Sequence, residues 1–233
     1  MTAVFLHIFY PHLWSEIVGR IKAMPFEHNL YINLVQGHTD NLNVQEHFPN
    51  AVVRVSPNQG MDPGGQLRML NYWKDNGKDE EFIVFLHSKG CRHGMVSAAK
   101  EAETSELRNL MWSIVTPEKY PAVAHAFQDP DVGMVGVKEW HRYPGLDHGD
   151  PIPECRRIAD LLGLNNYQTN SFGFIGGTMS WVRSKIFRKV FGAIDIEDMV
   201  SKLPEYSNGG DIHALERIFG YVVLSENFKI QGV

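Results

Sequence analysis

The chain has few cysteines, no long apolar run and no excess of basic charge. Only two of its 233 residues are cysteines, Cys91 and Cys155, and they form no CxxC pair. They indicate neither a zinc motif nor a disulfide framework, and a reducing cytoplasm is the expected compartment. No stretch reaches the roughly 18 apolar residues of a membrane-spanning helix. Residues 1–10 are apolar but lack a basic lead-in and a cleavage site, so we expect a buried strand rather than a signal peptide.

The charge balance argues against a nucleic-acid-binding protein. The chain has 22 Lys and Arg against 27 Asp and Glu, a formal net charge of -5. Binding to phosphate backbones needs clustered basic charge, which is missing here. The length and a hydrophobic content of 43% favour one globular domain over residues 1–233.

Apolar runs and helical patterns alternate along the chain, which predicts an α/β fold with a mostly parallel sheet flanked by helices. Strands are expected at residues 3–9, 29–35, 51–55, 81–86 and 132–137. Helices are expected at residues 14–21, 64–73, 105–115, 121–127, 154–162 and 184–191. A last helix is expected at residues 212–219, ended by Gly220 as a C-terminal cap and followed by a short strand at residues 221–224. Residues 140–153 are rich in proline and glycine and are expected to be mostly loop.

The first motif is the segment 56–65, which follows the third strand and opens a helix. Ligands of open parallel sheets bind where strands end in such loops. Glycines allow a close backbone approach, and a helix N-terminus favours phosphate. The alternative is an ordinary βα turn in which Asn58 and Asp62 serve as turn and N-cap residues.

The second motif is the segment 85–93, where an apolar strand ends in His87, Lys89, Arg92 and His93. Charged groups at the end of a buried strand are not explained by packing. Lys89 and Arg92 could bind a diphosphate, as a point charge and as a bidentate fork. His87 could hydrogen-bond a phosphate or the reacting sugar. A metal site or a solvated loop are the weaker alternatives.

The third and fourth motifs lie in the second half of the chain. In segment 170–183, Gly176 and Gly177 indicate a close approach to a ligand or to another strand. Trp181 in the same segment offers a face for sugar stacking, although a bulge within the core is an equal alternative. In segment 211–217, His213, Glu216 and Arg217 share one helical stripe. Such a group can supply a general base, its orienting partner and an anion clamp, or it can form an exposed ion-paired face.

Taken in order, these motifs resemble the rhamnan synthesis protein F family over roughly residues 1–225. The resemblance rests on Asn58, Gly60 and Asp62, on His87 and Lys89, on Leu107 and Arg108, on the segment 127–133, on the segment 177–183 and on the segment 213–217. It implies a fold close to the GT-A nucleotide-sugar fold. It also implies transfer of a sugar to a cell-wall polysaccharide or lipopolysaccharide. The donor sugar is rhamnose by resemblance, but departures around Gln59 and Met61 leave other sugars open.

The resemblance and the motif chemistry together suggest a role for each candidate residue. For a direct displacement, the catalytic candidates are Glu216, Asp211, His213 and His87, with the two carboxylates ranked first as general base. The donor-binding candidates are Asn58, Gly60, Asp62, Lys89 and Arg92. The acceptor-binding candidates are Gly176, Gly177, Trp181 and Arg217.

The expected metal motif of the GT-A fold is missing. Where an acidic pair would follow the fourth strand, this chain has His87, Ser88 and Lys89. We therefore expect an enzyme with no metal ligands and no required cofactor, whose diphosphate is neutralised by Lys89 and Arg92. The expected partners are a nucleotide sugar and a glycan acceptor, lipid-linked and reached by peripheral contact with the inner face of the membrane. Two alternatives stay open: a non-catalytic carbohydrate-binding domain that retains the fold, and a phosphatase or hydrolase that uses His87 and His93.

Overall fold

A computed structural model describes residues 1–90, 97–142, 151–164, 173–205 and 210–233 of the chain. Its strands are β1 (Thr2–Ile8), β2 (His28–Val35), β3 (Val52–Ser56), β4 (Phe82–His87), β5 (Val132–Gly136), β6 (His141–Arg142), β7 (Phe174–Ile175), β8 (Ser180–Arg183) and β9 (Lys229–Gly232). Its helices are α1 (Trp14–Lys22), α2 (Val44–His47), α3 (Met61–Asn76), α4 (Ala98–Trp112), α5 (Tyr120–Ala126), α6 (Ile152–Leu161), α7 (Ser184–Phe191), α8 (Ile196–Ser201) and α9 (Asp211–Ser225). Within these ranges, no helix combines the length and the apolar character needed to cross a membrane.

Seven strands form one sheet in the order β3-β2-β1-β4-β8-β5-β9. All neighbouring pairs are parallel except the two that involve β8, which runs antiparallel to both β4 and β5. β1 and β4 lie inside the sheet, which explains their continuous apolar sequences, because such strands are buried on both faces. The predicted α/β fold with a mostly parallel central sheet flanked by helices is confirmed.

Each face of the sheet carries its own apolar core. Alternate side chains of β1 point to opposite faces: Phe5 packs with α3, α7 and α9, whereas Val4 and Leu6 pack with α1, α4 and α5. The first core contains a cluster of edge-to-face and tilted rings that includes Phe85, Phe187 and Phe219. The sheet is therefore the layer that both cores share, and its rims are the places left for polar groups.

The prediction for the end of the last long helix was wrong. α9 runs through Gly220 to Ser225, so residues 221–224 are helical and the final strand is β9. A β-carbon on Gly220 would lie 2.6 Å from the carbonyl oxygen of Gly173 and from the side chain of Phe174. The glycine therefore permits close packing of α9 against β7, and it is not a cap.

The predicted stacking role of Trp181 is also wrong, because its side chain is buried. Trp181 is 2% exposed, and its ring lies against those of Phe26, Phe82 and Tyr120. Its indole nitrogen donates a hydrogen bond of 3.0 Å to the carbonyl oxygen of Ile114. No ring face is left for a sugar, and the residue belongs to the core on the α1, α4 and α5 face.

Replacement of this tryptophan is expected to destabilise the protein. We expect Trp181→Ala to lower the free energy of unfolding by about 3–5 kcal/mol, because it removes a large buried side chain and leaves a cavity. Leu161→Ala is the control, since Leu161 is 53% exposed and a surface change costs within about 0.5 kcal/mol. Chemical denaturation measures both variants. Equal stabilities of Trp181→Ala and wild type would contradict the packing described for Trp181.

Two glycines allow α3 to lie against β1 and its own entry loop. A β-carbon on Gly65 would overlap the imidazole of His7, and one on Gly64 would overlap the carbonyl of Gln59. These glycines were predicted to admit a ligand, but the space beside each of them is already filled by the protein. The first turn of α3 is thereby brought within contact distance of His7, at the end of β1.

A matched pair of glycine substitutions tests this packing. We expect Gly65→Ala to lower the free energy of unfolding by about 1–3 kcal/mol, because the new methyl group must displace His7. Gly19→Ala, in the middle of α1, meets no atom within 4 Å and is expected to stabilise by about 0.5–1 kcal/mol. Thermal and urea unfolding compare the two. The same sign for both substitutions would show that His7 does not pack on Gly65.

Candidate functional site

The carboxyl ends of the parallel strands form the rim of the sheet where polar groups collect. β4 ends there in His87. Because β8 is antiparallel to β4, the turn that precedes β8, including Gly177, returns to the same rim. Ser88 joins the ends of β1 and β4, since its hydroxyl accepts hydrogen bonds from the amides of Phe9 and Tyr10 at 2.8 and 3.1 Å. The ends of β1 and β4 are thus tied together by the Ser88 hydroxyl.

Four polar side chains occupy one row across four neighbouring strands. Arg54, Asn33, His7 and His87 stand opposite one another in the registers of β3, β2, β1 and β4. The Asn33 amide nitrogen lies 3.1 Å from His7 Nδ1, and the Asn33 carbonyl accepts from the hydroxyl of Ser56 at 3.0 Å. Asn33 and both histidines are buried. With this orientation of Asn33, His7 Nδ1 accepts a hydrogen bond and Nε2 carries the proton.

Asp62, in the first turn of α3, meets the two histidines of this row. One carboxylate oxygen lies 3.2 Å from His87 Nδ1, and the other lies 3.9 Å from His7 Nε2. Neither contact has hydrogen-bond geometry, so both nitrogens are buried without a hydrogen-bond partner among the described residues. The Asp62 side chain is 26% exposed, against 1% for each histidine. The carboxylate is therefore the member of the trio that a ligand can reach.

The peptide unit of Gly177 links His87 to Glu216 on α9. His87 Nε2 donates to the Gly177 carbonyl oxygen at 2.8 Å, and the Gly177 amide donates to a Glu216 carboxylate oxygen. Gly177 and Thr178 both have positive φ, 77° and 52°, which is costly for a threonine. Gln66 donates to the Thr178 carbonyl at 3.0 Å and helps hold this turn. The turn is therefore fixed from β4, α3 and α9 together.

Lys89 follows His87 at the rim, and Arg108 fixes its backbone. The Arg108 guanidinium donates to the Lys89 carbonyl at 2.7 Å and to both carboxylate oxygens of Glu16 at 3.0 and 3.2 Å. Arg108 is almost fully buried, so a fixed fork of donors holds the chain where it leaves β4. The Lys89 side chain is partly exposed beside His87. Arg92 and His93 lie outside the described residues.

The α9 residues are already engaged with other protein groups. Asp211 forms an ion pair with Arg157. Besides the Gly177 amide, Glu216 contacts Arg217 at 3.4 Å and His213 at 3.8 Å. Arg217 also donates to the His213 carbonyl at 2.9 Å and is mostly buried, so these residues do not form the exposed face considered from the sequence. His213 is about half exposed, at 49%, and borders the rim.

Asn58 and Gly60 support the entry to α3 and do not project into an open space. Asn58 is buried and donates to the Glu205 carbonyl at 3.1 Å. The Gly60 amide donates to the Pro204 carbonyl at 3.0 Å, and Gly60 has a φ of 73°. Residues 203–205 thus anchor the loop, while Asp62 is the part of the motif that faces the rim. The helix has no side-chain N-cap.

The structure brings Asp62, His87, Lys89, Gly177 and Glu216 together at one rim, with His213 at its margin. Asn58, Gly60, Gly176 and Trp181 serve packing, and Asp211 and Arg217 contact other protein groups. Arg92 lies outside the described residues. Added β-carbons would meet Trp140 at Gly176 and Met111 at Gly177, so the close approach expected at these two glycines is made by protein side chains. How these residues act in a reaction stays a prediction.

The sequence alone did not indicate several buried residues whose hydrogen bonds support the rim. His7 was hidden in an apolar strand, and Asn33, Gln66 and Arg108 were not proposed for the site. One signal was available. The fourth strand ends in His87 and the first strand has His7 one residue before its end, and paired parallel strands would place the two histidines side by side on one face of the sheet.

A cavity of about 360 Å³ adjoins the row of polar side chains, at the β3 edge of the sheet. Its lining includes Asn33, Arg54, Ser56, Arg68 and Tyr72. Within the part of the chain described, no group of three or more His, Cys, Asp or Glu side chains could hold a metal ion. The expected independence of metal stays a prediction.

Burial keeps both histidines of the row neutral. It lowers the pKa of His7 to about 4, against an opposing effect of Asp62, while His87 and Arg68 lower it further. Burial also lowers the pKa of His87, with Asp62 again opposing and Lys89 adding to the decrease. At neutral pH, His87 therefore carries its single ring proton on Nε2, toward Gly177, and its Nδ1 lone pair faces Asp62.

The pKa of His7 predicts how stability depends on pH. In the unfolded chain this group has a pKa of about 6.5, so between pH 7 and pH 5 the unfolded state binds a proton that the folded state does not. The free energy of unfolding should fall by about 2 kcal/mol over this interval because of His7. Urea unfolding of wild type and His7→Gln at both pH values measures the difference. An identical pH dependence in the two proteins would contradict it.

A comparison with known protein families matches most of the chain to one family. A search of curated proteins found no match. Residues 1–228 match the family described as rhamnan synthesis protein F. This range includes the rim and every element of the fold from β1 to α9. The chain therefore belongs to the rhamnan synthesis protein F family.

Proposed function

We propose that this chain is a glycosyltransferase that moves a sugar, rhamnose being the first candidate, from a nucleotide-diphosphate donor to a growing cell-surface polysaccharide or lipopolysaccharide. The family, whose description names rhamnan synthesis, supports the pathway. A mostly parallel sheet with polar groups at its carboxyl rim supports a single domain with a GT-A-like fold. We place the reaction in the cytoplasm, at the inner face of the membrane, with a lipid-linked glycan as acceptor.

The main support for this proposal is that Lys89, His87 and Asp62 lie near one another at the carboxyl rim. Open α/β sheets bind ligands at this rim. The end of β4 supplies a cation, and the start of α3 supplies a carboxylate 3.2 Å from His87. A transferase needs both charges, since the leaving diphosphate requires positive charge and the acceptor hydroxyl requires a base.

Lys89 is the group we assign to the diphosphate. Its backbone is fixed by Arg108, so the ammonium group starts from a defined position, and Arg92 is the second donor-binding candidate. A lysine at the end of β4 repels a divalent cation placed beside it, and a single nearby carboxylate is a weak site for a hard cation. Donor binding should therefore not require a metal.

The space around the rim accommodates the remaining parts of the two substrates. The cavity beside Asn33 and Ser56 has room for the nucleoside end of the donor. On the other side of His87, the turn at Gly177 and the half-exposed His213 border the place proposed for the acceptor. Peripheral contact with the membrane would bring a lipid-linked glycan to this side.

Substitution of Lys89 tests the donor site. We expect Lys89→Ala to weaken donor binding by about 1.5–3 kcal/mol, because a hydrogen bond to a charged group is lost. Lys22→Ala is the control, since Lys22 is exposed at the end of α1, on the opposite rim of the sheet. Calorimetry with UDP-, GDP- and dTDP-sugars, each with EDTA and with manganese, measures the affinity. EDTA should have little effect.

Three outcomes of this screen separate the alternatives. Affinity that is lost on chelation and restored by manganese, with normal binding by Lys89→Ala, would overturn the metal-independent donor site. Glycan binding without donor binding would favour the non-catalytic carbohydrate-binding domain. Donor binding together with slow donor hydrolysis in the absence of acceptor is the result expected of a transferase.

A further inference from the structure

We infer that Asp62 is the general base of the proposed transfer, and that His87 Nδ1 accepts the hydrogen bond of its protonated form. This inference rests on the proposed function and changes the role of Asp62 from donor binding to proton transfer. It also moves the role of base away from Glu216 and Asp211, whose carboxylates are occupied by Gly177, Arg217 and Arg157.

The hydrogen bond between His87 and Gly177 determines which ring nitrogen of His87 is protonated. A backbone carbonyl can only accept, so the proton of neutral His87 lies on Nε2, 2.8 Å from the Gly177 oxygen. Nδ1 is then unprotonated, and it lies 3.2 Å from an oxygen of Asp62. Two acceptors face each other in a buried setting. This contact is unfavourable until one proton is added to the pair.

A proton on Asp62, together with a rotation of its carboxyl group toward Nδ1, turns this 3.2 Å contact into a hydrogen bond. The protonated carboxyl group donates to His87 Nδ1, whose position is already fixed by the turn at Gly177. No described residue donates a hydrogen bond to His87 Nδ1, so this nitrogen can accept one from the carboxyl group that has taken up the proton. Asp62 is also the exposed member of the trio, so an acceptor hydroxyl can reach it.

The proposed step balances in atoms and electrons. The acceptor oxygen forms a bond to the anomeric carbon as its proton passes to Asp62. The bond between that carbon and the diphosphate oxygen breaks, and its electron pair leaves on the diphosphate, opposite Lys89. No oxidant, reductant or metal takes part.

Burial, which lowers the pKa of His87, is the main reason why its imidazole is neutral before the donor binds. Among the described residues, Asp62 and Lys89 are the charged groups that act on His87, and their effects on its pKa are opposite. His7 faces the same carboxylate from β1, with Arg68 beside it. A bound diphosphate would offset the charge of Lys89, so the proton affinity of the pair should rise when the donor is present.

Asp62→Asn tests the base, with Asp131→Asn as the matched control. Asp131 precedes β5 on the opposite rim and pairs with Lys229. We expect Asp62→Asn to retain donor affinity and to reduce the transfer rate about 10²–10⁴-fold, the range for loss of a general base. The control should behave as wild type. Weakened donor binding with a normal rate would overturn the inference and return Asp62 to the donor site.

A titration that needs no activity keeps the two proposals separate. Nitrogen-15 NMR of labelled histidine follows His87 against pH in wild type, Asp62→Asn and Asp131→Asn. Loss of the carboxylate should move the His87 titration to lower pH, because Asp62 raises the pKa of His87, and UDP, GDP or dTDP should move it upward in wild type. A His87 titration unchanged by Asp62→Asn would overturn the inference. Failure of every nucleotide sugar to bind wild type would instead overturn the proposed function.

Discussion

The antiparallel direction of β8 determines where the polar groups of this protein meet. Because β8 lies between β4 and β5 and opposes both, the turn before it returns to the carboxyl rim of the parallel strands. Only this direction lets the Gly177 carbonyl accept the proton of His87. The hydrogen bond sets the tautomer of His87, and the tautomer sets what Asp62 faces. The chemistry available at the rim thus follows from the topology of one strand.

Placing polar groups at this rim has an energetic cost that the fold compensates only in part. A buried group without a hydrogen bond costs about 1–3 kcal/mol, and His7 Nε2 and His87 Nδ1 are both in this situation. By contrast, Arg108 makes three hydrogen bonds to Glu16 and Lys89 at the same rim. Two of the four buried side-chain atoms without a partner among the described residues lie beside Asp62; the others are Gln66 Oε1 and Ser113 Oγ. The two histidine nitrogens are distinctive because both face the same carboxylate.

The sequence was informative where burial alone determines structure and uninformative where partners are distant. β1 and β4 were predicted because strands buried on both faces are continuously apolar. The end of α9 was mispredicted because Gly220 packs against Gly173, a contact 47 positions away that no local pattern reveals. Trp181 was misassigned for the same reason, since an aromatic residue beside glycines reads alike in a core and in a sugar site. The sequence predicted that the residues at the end of β4 lie at the rim. The position of His7 beside His87 could be assigned only from the register of β1 and β4.

Two opposite charges act on His87, and they connect the structure with the proposed function. Lys89 follows β4 in the chain, while Asp62 in the first turn of α3 lies 3.2 Å from His87 and 3.9 Å from His7. A reaction that expels an anion and accepts a proton needs a cation and a base at separate positions, because adjacent placement would let them neutralise each other. The buried imidazole of His87 stays neutral because burial lowers its pKa. It therefore adds no charge of its own to Lys89, which would bind the leaving group, or to Asp62, which would take the proton.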